Sequence, residues 1–396
     1  MKVQRNDFPV LEKNPSLVYL DSACTSLKPK AVIEAEMSYY TELGACAGRS
    51  SHRLGIKTNQ KVEEAREKVA GFVGAKAEEL VWTRNTTEGL NIIANSFDFS
   101  KRKKVVTSVM EHHSVLLPFM RLRDNGKITL EVVNCDESGT IGTNRWAEKI
   151  DRDTALVVTH SWNNTAGTGN DTRQLAKLAH DNGALICIDG AQGVPHRRTD
   201  FRRDSLDFLC FSGHKMLGPT GIGALVAKKE HLNKLDPLLT GGGTVKTVSL
   251  EKIEPVADQT RFEAGVQHYS GMIGFGAACD YLKKLGMENV EAHEKELAKA
   301  LLEQLNAAGA IVYGPKTDNH EALYSFNFRN AKPHDVALML DKQDMAVRSG
   351  FFCAQPALEA LGAKDGAVRA SGYIYNTVED VKKFGDTLQK LKELYG

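Results

Sequence analysis

Two short apolar runs that each end in polar residues are the chemically most telling part of this chain. Ala184-Leu-Ile-Cys-Ile-Asp189-Gly-Ala-Gln192 closes one strand-like run with a carboxylate. Phe208-Leu-Cys-Phe-Ser212-Gly-His214-Lys215 closes another with a lysine after a Ser-Gly-His turn. The 26 residues from Asp189 to Lys215 allow one crossover and a return to the same sheet edge. That pairing suits a pyridoxal phosphate site. The lysine forms a Schiff base, and the aspartate keeps the pyridine nitrogen protonated so that the ring acts as an electron sink. A solvated Asp or Lys at a strand end is the ordinary alternative, but the joint presence of Gln192 and Ser212 favours the cofactor.

Other segments gain meaning from that pair. Arg84-Asn-Thr86-Thr87-Glu-Gly89 lies between a strand and a helix, where backbone N–H groups and hydroxyls make an anion site. Capping of the helix by Thr86 is the bland reading, and a phosphate cradle is preferred beside a cofactor lysine. Met110-Glu-His112-His113 follows a strand end, and a neutral imidazole there can stack on a cofactor ring and move protons. In Ser161-Trp-Asn-Asn164-Thr165 an asparagine either holds a substrate carboxylate or the cofactor's phenolic oxygen, or simply forms the turn. Cys353, after Gly350-Phe-Phe and before Pro356, reads as an exposed loop thiol able to act as a nucleophile. Arg369, alone among uncharged neighbours, is the residue type that clamps carboxylates.

The elements that must hold these residues alternate. Strand-like segments are read at 79–83, 104–108, 128–133, 155–159, 185–189, 208–212 and 223–228, and helices at 87–97, 113–123 and 172–182. Such alternation predicts an α/β fold with a mostly parallel sheet covered by helices on both faces. From about Gly271 the pattern changes. A long helical stretch (272–286, then 290–307) precedes strands at 311–313, 323–328 and 346–349, a helix at 334–342, the segment 367–375 and an amphipathic terminal helix at 378–394. The expected division is a large cofactor-binding domain over 15–285, with 1–14 and 286–396 forming a smaller α+β domain.

The bulk numbers leave room for this. A chain of 396 residues buries a sizeable core. Its net charge of +1 favours neither nucleic acid nor an anionic membrane. No apolar run reaches bilayer length and no signal-peptide core opens the chain, so a soluble cytoplasmic protein is expected. Seven cysteines, irregularly spaced and without a Cys-x-x-Cys pair, argue against a disulfide framework or a structural zinc, and no metal site is expected.

Taken together the motifs resemble a known family. Tyr19-Leu-Asp-Ser-Ala-Cys-Thr-Ser-Leu-Lys-Pro29, Met110-Glu-His-His113, Asp189-Gly-Ala-Gln192, Phe211-Ser-Gly-His-Lys215, Gly241-Gly-Gly243, Arg261-Phe-Glu-Ala-Gly265, Arg348-Ser-Gly-Phe-Phe-Cys353 and Arg369-Ala-Ser371 are similar to those of the SufS-like (group II) cysteine desulfurases. These belong to the class V aminotransferases within the fold type I (aspartate aminotransferase-like) pyridoxal 5'-phosphate enzymes. The resemblance implies that Lys215 carries the cofactor, Asp189 pairs with its ring nitrogen and Gln192 with its phenolic oxygen. It implies that Thr86, Thr87, Ser212 and His214 hold the phosphate, that His112 stacks on the ring and serves as a catalytic proton carrier, and that Asn164 and Arg369 fix the substrate carboxylate. Cys353 would take sulfur from L-cysteine as a persulfide, releasing L-alanine. A homodimer, and a SufE- or SufU-like acceptor or cluster scaffold serving iron–sulfur assembly or thio-modification, are further implications. A selenocysteine lyase or other class V enzyme, and a non-catalytic cofactor-binding scaffold, are the alternatives.

The chain departs from the pattern at four places. Phe351 and Phe352 replace a common His-His, and Val266 replaces a threonine thought to reach a neighbouring subunit's phosphate. Cys24 stands where alanine is usual, and Cys46 lies in a variant Gly-Ala-Cys-Ala-Gly-Arg segment. Both cysteines are expected near the site mouth, as small-residue drift rather than a second reactive thiol.

Overall fold

A computed structural model describes residues 5–48, 50–316 and 321–395. Residues 1–4 of the expected small domain, residues 317–320 within it, and Arg49 of the variant segment lie outside the described residues. The strands of the two larger sheets are numbered in chain order. In the large sheet they are β1 (Leu80–Thr83), β2 (Lys104–Ser108), β3 (Thr129–Val133), β4 (Thr154–His160), β5 (Leu185–Asp189), β6 (Phe208–Ser212) and β7 (Gly223–Ala227). In the small sheet they are β8 (Ile311–Tyr313), β9 (Leu323–Asn327), β10 (Arg348–Gly350) and β11 (Ala367–Ser371). The helices of eight or more residues are α1 (Lys30–Ser38), α2 (Arg53–Phe72), α3 (Thr86–Ser96), α4 (His113–Asp124), α5 (Thr172–Asp181), α6 (Tyr269–Leu285), α7 (Met287–Ala307), α8 (Pro333–Asp341) and α9 (Val378–Tyr395).

The large sheet runs β1-β7-β6-β5-β4-β2-β3. Only β7 is antiparallel to its neighbours. Its central strands are apolar along their whole length because both faces are covered. Val157, Ile186, Ile188, Leu209 and Phe211 pack in one cluster with α2, α5 and α6. Their alternates Leu156, Val158, Cys187, Phe208 and Cys210 pack in another with α3 and α4. Cys187 and Cys210 are accordingly buried thiols. This is the expected α/β arrangement, with helices on both faces of a mostly parallel sheet.

The small sheet is antiparallel throughout, in the order β8-β9-β11-β10. Leu301, Leu305, Val381, Phe384 and Leu388, from α7 and α9, pack with it. The segment read as one strand over 346–349 is two. Met345–Ala346 pairs with Val18–Tyr19, whereas β10 pairs with β11. The register change lets the chain leave one ladder just before the cysteine loop and enter another. Gly286, at φ 82°, ends α6 and begins α7 without a spacer.

The parallel strands all end at one edge. β5 Asp189 lies opposite β4 His160 and β6 Cys210, and Ser212 lies opposite Gly223 of β7. The loops that leave that edge carry most of the candidate residues, as expected for ligand sites in open α/β sheets.

Candidate active site

The residues expected to hold cofactor and substrate line a single cavity of about 420 Å³: Thr86, Thr87, His112, Asn164, Asp189, Gln192, Ser212, His214, Lys215, Cys353 and Arg369. They come from five loops of the large sheet edge and two segments of the small domain. The C-terminal third therefore closes a site that the large sheet opens.

The centre of the site is Asp189 and Lys215. Asp189 is 5% exposed at the tip of β5. Burial pushes its pKa up, opposed by the Ala191 N–H at 2.9 Å and by the charge of Lys215. Burial likewise pushes Lys215 down, against the pull of Asp189. A carboxylate held in such a place needs a cationic partner, and a protonated ring nitrogen is one. The turn that presents Lys215 is clamped from outside. The His214 carbonyl accepts from Lys28 Nζ (3.0 Å), Thr25 Oγ1 (3.1 Å) and Ser26 Oγ (3.0 Å). Burial lowers Lys28 to about 8. Gln192 donates from Nε2 to the Ala23 carbonyl at 2.9 Å, and its buried Oε1 has no partner.

The second end suits an anion. Asn85 caps α3 by accepting from the Glu88 N–H at 3.0 Å, so the cap falls one residue before Thr86, against the bland reading of Thr86 as the cap. The Thr86 hydroxyl is thereby spared for the cavity, 2.7 Å from Ser212 Oγ. Gly223 makes the approach possible, because a Cβ there would lie 2.8 Å from Asn85 Cα. Thr87 Oγ1 lies 2.7 Å from Ser114 Oγ, which lies 2.9 Å from His112 Nδ1. Hydroxyls, His214 and a helix N-terminus form a fitting donor set for a phosphate.

His112 is held by its neighbours. The Ser114 N–H donates to Nδ1 at 3.0 Å, so in the neutral ring the proton sits on Nε2. Burial, with the charges of Lys215, His113 and Arg369, pushes this imidazole down to about 3. It is neutral at physiological pH, as stacking on a cationic ring requires. Glu111 fixes the turn. Its carboxylate accepts from Ser108 Oγ (2.5 Å), Thr159 Oγ1 (2.6 Å) and the His160 N–H (2.9 Å), and lies 3.0 Å from His160 Nδ1. Burial alone would lower His160, but Glu111 raises it.

At the mouth, Arg369 of β11 is 3% exposed. Nη1 donates to the Asn164 carbonyl at 2.9 Å, Nη2 is 3.5 Å from Asp21 Oδ1, and Nε has no partner. Burial lowers its pKa, against the attraction of Asp21. Cys353 is exposed at the tip of its loop. Phe352 (φ 53°) and Cys353 (φ 56°) are successive left-handed residues, a conformation that costs of order 1–3 kcal/mol per non-glycine residue. The loop is held by His113 N–H to the Cys353 carbonyl (2.7 Å) and Asn164 Nδ2 to the Phe352 carbonyl (2.9 Å).

Sequence reasoning passed over His160, Arg348, Lys28 and Ser114. Lys28, His160 and Arg348 act on partners far away in the chain, His214, Glu111 and Asp21, whereas Ser114 acts on His112 two residues before it and on Thr87. Of the two variant cysteines, Cys24 lines the cavity and accepts from Arg348 Nη2 at 2.8 Å. Cys46 is exposed and does not line it. Val266 is 77% exposed. His334, at the start of α8, lies 3.3 Å from Ser349 Oγ through Nδ1.

The chain matches the family model described as aminotransferase class-V over residues 18–384. It is 40% identical to a probable cysteine desulfurase of Halalkalibacterium halodurans, over 98% of this chain and 97% of that one. It is 38% identical to a probable cysteine desulfurase of Methanothermobacter thermautotrophicus, with coverage of 98% and 97%. Among solved structures it is similar to the apo cysteine desulfurase of Thermococcus onnurineus NA1, at 37% identity and a TM-score of 0.95, covering 99% of both chains.

Proposed function

The chain belongs to the class V aminotransferase family and is a pyridoxal phosphate-dependent cysteine desulfurase acting on L-cysteine, and we propose that Cys353 is the residue that takes the sulfur. The observation that carries this reading is the single cavity shared by Lys215, Asp189, Arg369 and Cys353. In it Lys215 would carry the cofactor, Asp189 would hold its ring nitrogen and Gln192 its phenolic oxygen. Thr86, Thr87, Ser212 and His214 would hold the phosphate, and neutral His112 would stack on the ring. When bound, the cofactor supplies the electron sink that loosens the substrate's Cα–H and, through it, its Cβ–S bond.

The protein's own groups do the rest. Arg369 and Asn164 hold the substrate carboxylate, fixing the direction in which its side chain points. Lys215, its pKa lowered by burial so that more of the amine is unprotonated, takes and returns the α-proton. His112 offers its Nε2–H as a hydrogen-bond donor where charge builds up. The Cys353 thiolate attacks the substrate sulfur, the Cβ–S bond breaks toward carbon, and Cβ gains a proton. L-Alanine leaves, and Cys353 keeps the sulfur as a persulfide. The balance needs no outside oxidant.

The persulfide then passes to an acceptor of the SufE or SufU type or to a cluster scaffold, for iron–sulfur assembly or thio-modification. The exposed tip of Cys353 supports this, because a partner's thiol can reach it. A homodimer is supported by the apolar side chains exposed on the segment before α6: Leu239, Val248, Leu250, Ile253 and Val266. No helix among the described residues is long and apolar enough to cross a membrane, and a cytoplasmic location accords with that.

The test is turnover of L-cysteine by holoenzyme with a reducing thiol, measuring L-alanine, sulfide and the mass of the Cys353 peptide. Wild type gives stoichiometric alanine and a persulfide on Cys353. Cys353→Ala lowers alanine formation by on the order of 100-fold while keeping the cofactor's absorbance. Undiminished alanine formation by Cys353→Ala would sink the assignment. Preferential turnover of L-selenocysteine by that same variant would point to the lyase reading.

A further inference from the structure

Phe352 directly precedes Cys353, and its ring is not idle. Arg369 Cζ lies 4.7 Å from the centre of that ring. The Phe352 carbonyl accepts from Asn164 Nδ2 at 2.9 Å, and the Asn164 carbonyl accepts from Arg369 Nη1 at 2.9 Å. One residue thus touches both groups that the proposed function assigns to the substrate carboxylate. We propose that Phe352 is a positioning residue that holds the Arg369 guanidinium edge-on to the substrate carboxylate. This rests on the reading of Arg369 as the carboxylate clamp.

The physical case is one of non-competing faces. A cation–π contact uses the flat face of a guanidinium. Bidentate carboxylate recognition uses the in-plane fork of N–H groups. Ring and substrate can therefore bind Arg369 together. Without the ring, a buried cation with an unpartnered Nε and a loose 3.5 Å contact to Asp21 is free to rotate toward that carboxylate. Such a rotation turns the fork away from the cavity. The ring removes that freedom before substrate arrives, and preorganisation of this kind is expressed as affinity. Phe352 and Cys353 are both left-handed, φ 53° and 56°, in the segment that carries this ring.

The test compares wild type, Phe352→Leu, Phe352→Tyr and Arg369→Ala holoenzymes. KM and kcat for L-cysteine are measured, with the Kd of L-alanine from its perturbation of the cofactor spectrum. Leucine keeps bulk but has no π face, whereas tyrosine keeps the face. Phe352→Leu is expected to raise KM and the L-alanine Kd about tenfold, with a smaller change in kcat, and Phe352→Tyr to stay near wild type. Phe352→Met, equally apolar and ringless, repeats the comparison should the leucine variant fold poorly. Equal KM and Kd for the leucine and tyrosine variants, or a fall in kcat alone, overturns the proposal. If Arg369→Ala also leaves KM and Kd unchanged, the carboxylate clamp itself fails. If Arg369→Ala raises both and Phe352→Leu raises neither, only the positioning role fails.

Discussion

At the scale of single residues, the site works by placing each ionisable group where burial and neighbours choose its charge. His112 shows this most plainly. Its Nδ1 is committed to the Ser114 N–H, and burial beside Lys215 and Arg369 pushes it from 6.5 down to about 3. An imidazole that stays neutral can stack and can offer Nε2–H, but cannot serve as a cationic acid at physiological pH. The expected outcome in ¹⁵N-histidine NMR of the cofactor-free protein is that His112 shows no titration between roughly pH 5 and 8, with the Nε2–H tautomer signature. A midpoint near the ordinary value of 6.5 would contradict it. The types of these residues were legible in the chain: a lysine, an aspartate, histidines and an arginine in apolar surroundings. Their partners were not. Nothing local to Glu111 says that it will lie 3.0 Å from the His160 imidazole, and nothing local to Phe352 says that Arg369, 17 residues later, will lie beneath its ring.

At the scale of elements, the strand ends supply the precision and a few buried contacts hold the loops to them. Glu263, in the Arg-Phe-Glu-Ala-Gly motif, accepts from Arg66 Nη1 at 2.7 Å, Arg66 Nη2 at 2.8 Å and the Trp82 N–H at 3.0 Å. It thereby pins that motif to α2 and β1 together. Arg66 is 2% exposed, and its other carboxylate partner, Glu63, lies 3.5 Å away and half-exposed, so removing Glu263 leaves a buried cation poorly compensated. Glu263→Ala is expected to destabilise the protein by about 3–5 kcal/mol, seen as a lower thermal unfolding midpoint. The double variant Arg66→Met with Glu263→Met should recover most of that loss, and failure of either expectation would mean that the pair does not carry the motif. The strands and helices of the central sheet could be read from the chain because buried parallel strands are continuous apolar runs bounded by turns. α2 was missed. It opens at His52, an unusual cap, carries Gly55 in its first turn, and has a mostly polar sequence, so its amphipathic signal is diluted. The splitting of 345–350 into two ladders was also unreadable, since β10 is specified by its partner β11 rather than by its own three residues.

At the scale of the whole molecule, the two sheets meet over the cavity, and the chain crosses between them near its start and end. We propose that the domains, 15–285 and 1–14 with 286–396, articulate at the α6–α7 junction around Gly286. The first described residues bridge them: Arg5 lies 3.5 Å from Asp380 of α9, while Phe8 and Leu11 pack with the large sheet's cluster. A cavity built between two such bodies is stabilised by whatever fills it, and its titrating groups say how. His112 and His214 are both pushed down to about 3, each by burial first and then by Lys215. An imidazole whose folded pKa lies below its unfolded one costs nothing above pH 6.5. Below that the unfolded chain takes up the proton and the folded one does not, so stability is lost progressively from about 6.5 toward 3. A phosphate bound among Thr86, Thr87, Ser212 and His214, as proposed, would supply an anion beside His214, raise its folded pKa and shrink the loss. The cofactor-free protein should therefore lose thermal unfolding midpoint more steeply than the holoenzyme as pH falls from about 7 to 5, with cofactor occupancy checked by absorbance at each pH. Inorganic phosphate added to the cofactor-free protein should recover part of the difference. Parallel curves for the two forms would show that His214 does not face the phosphate, and would move the anion site away from the strand end where Lys215 stands.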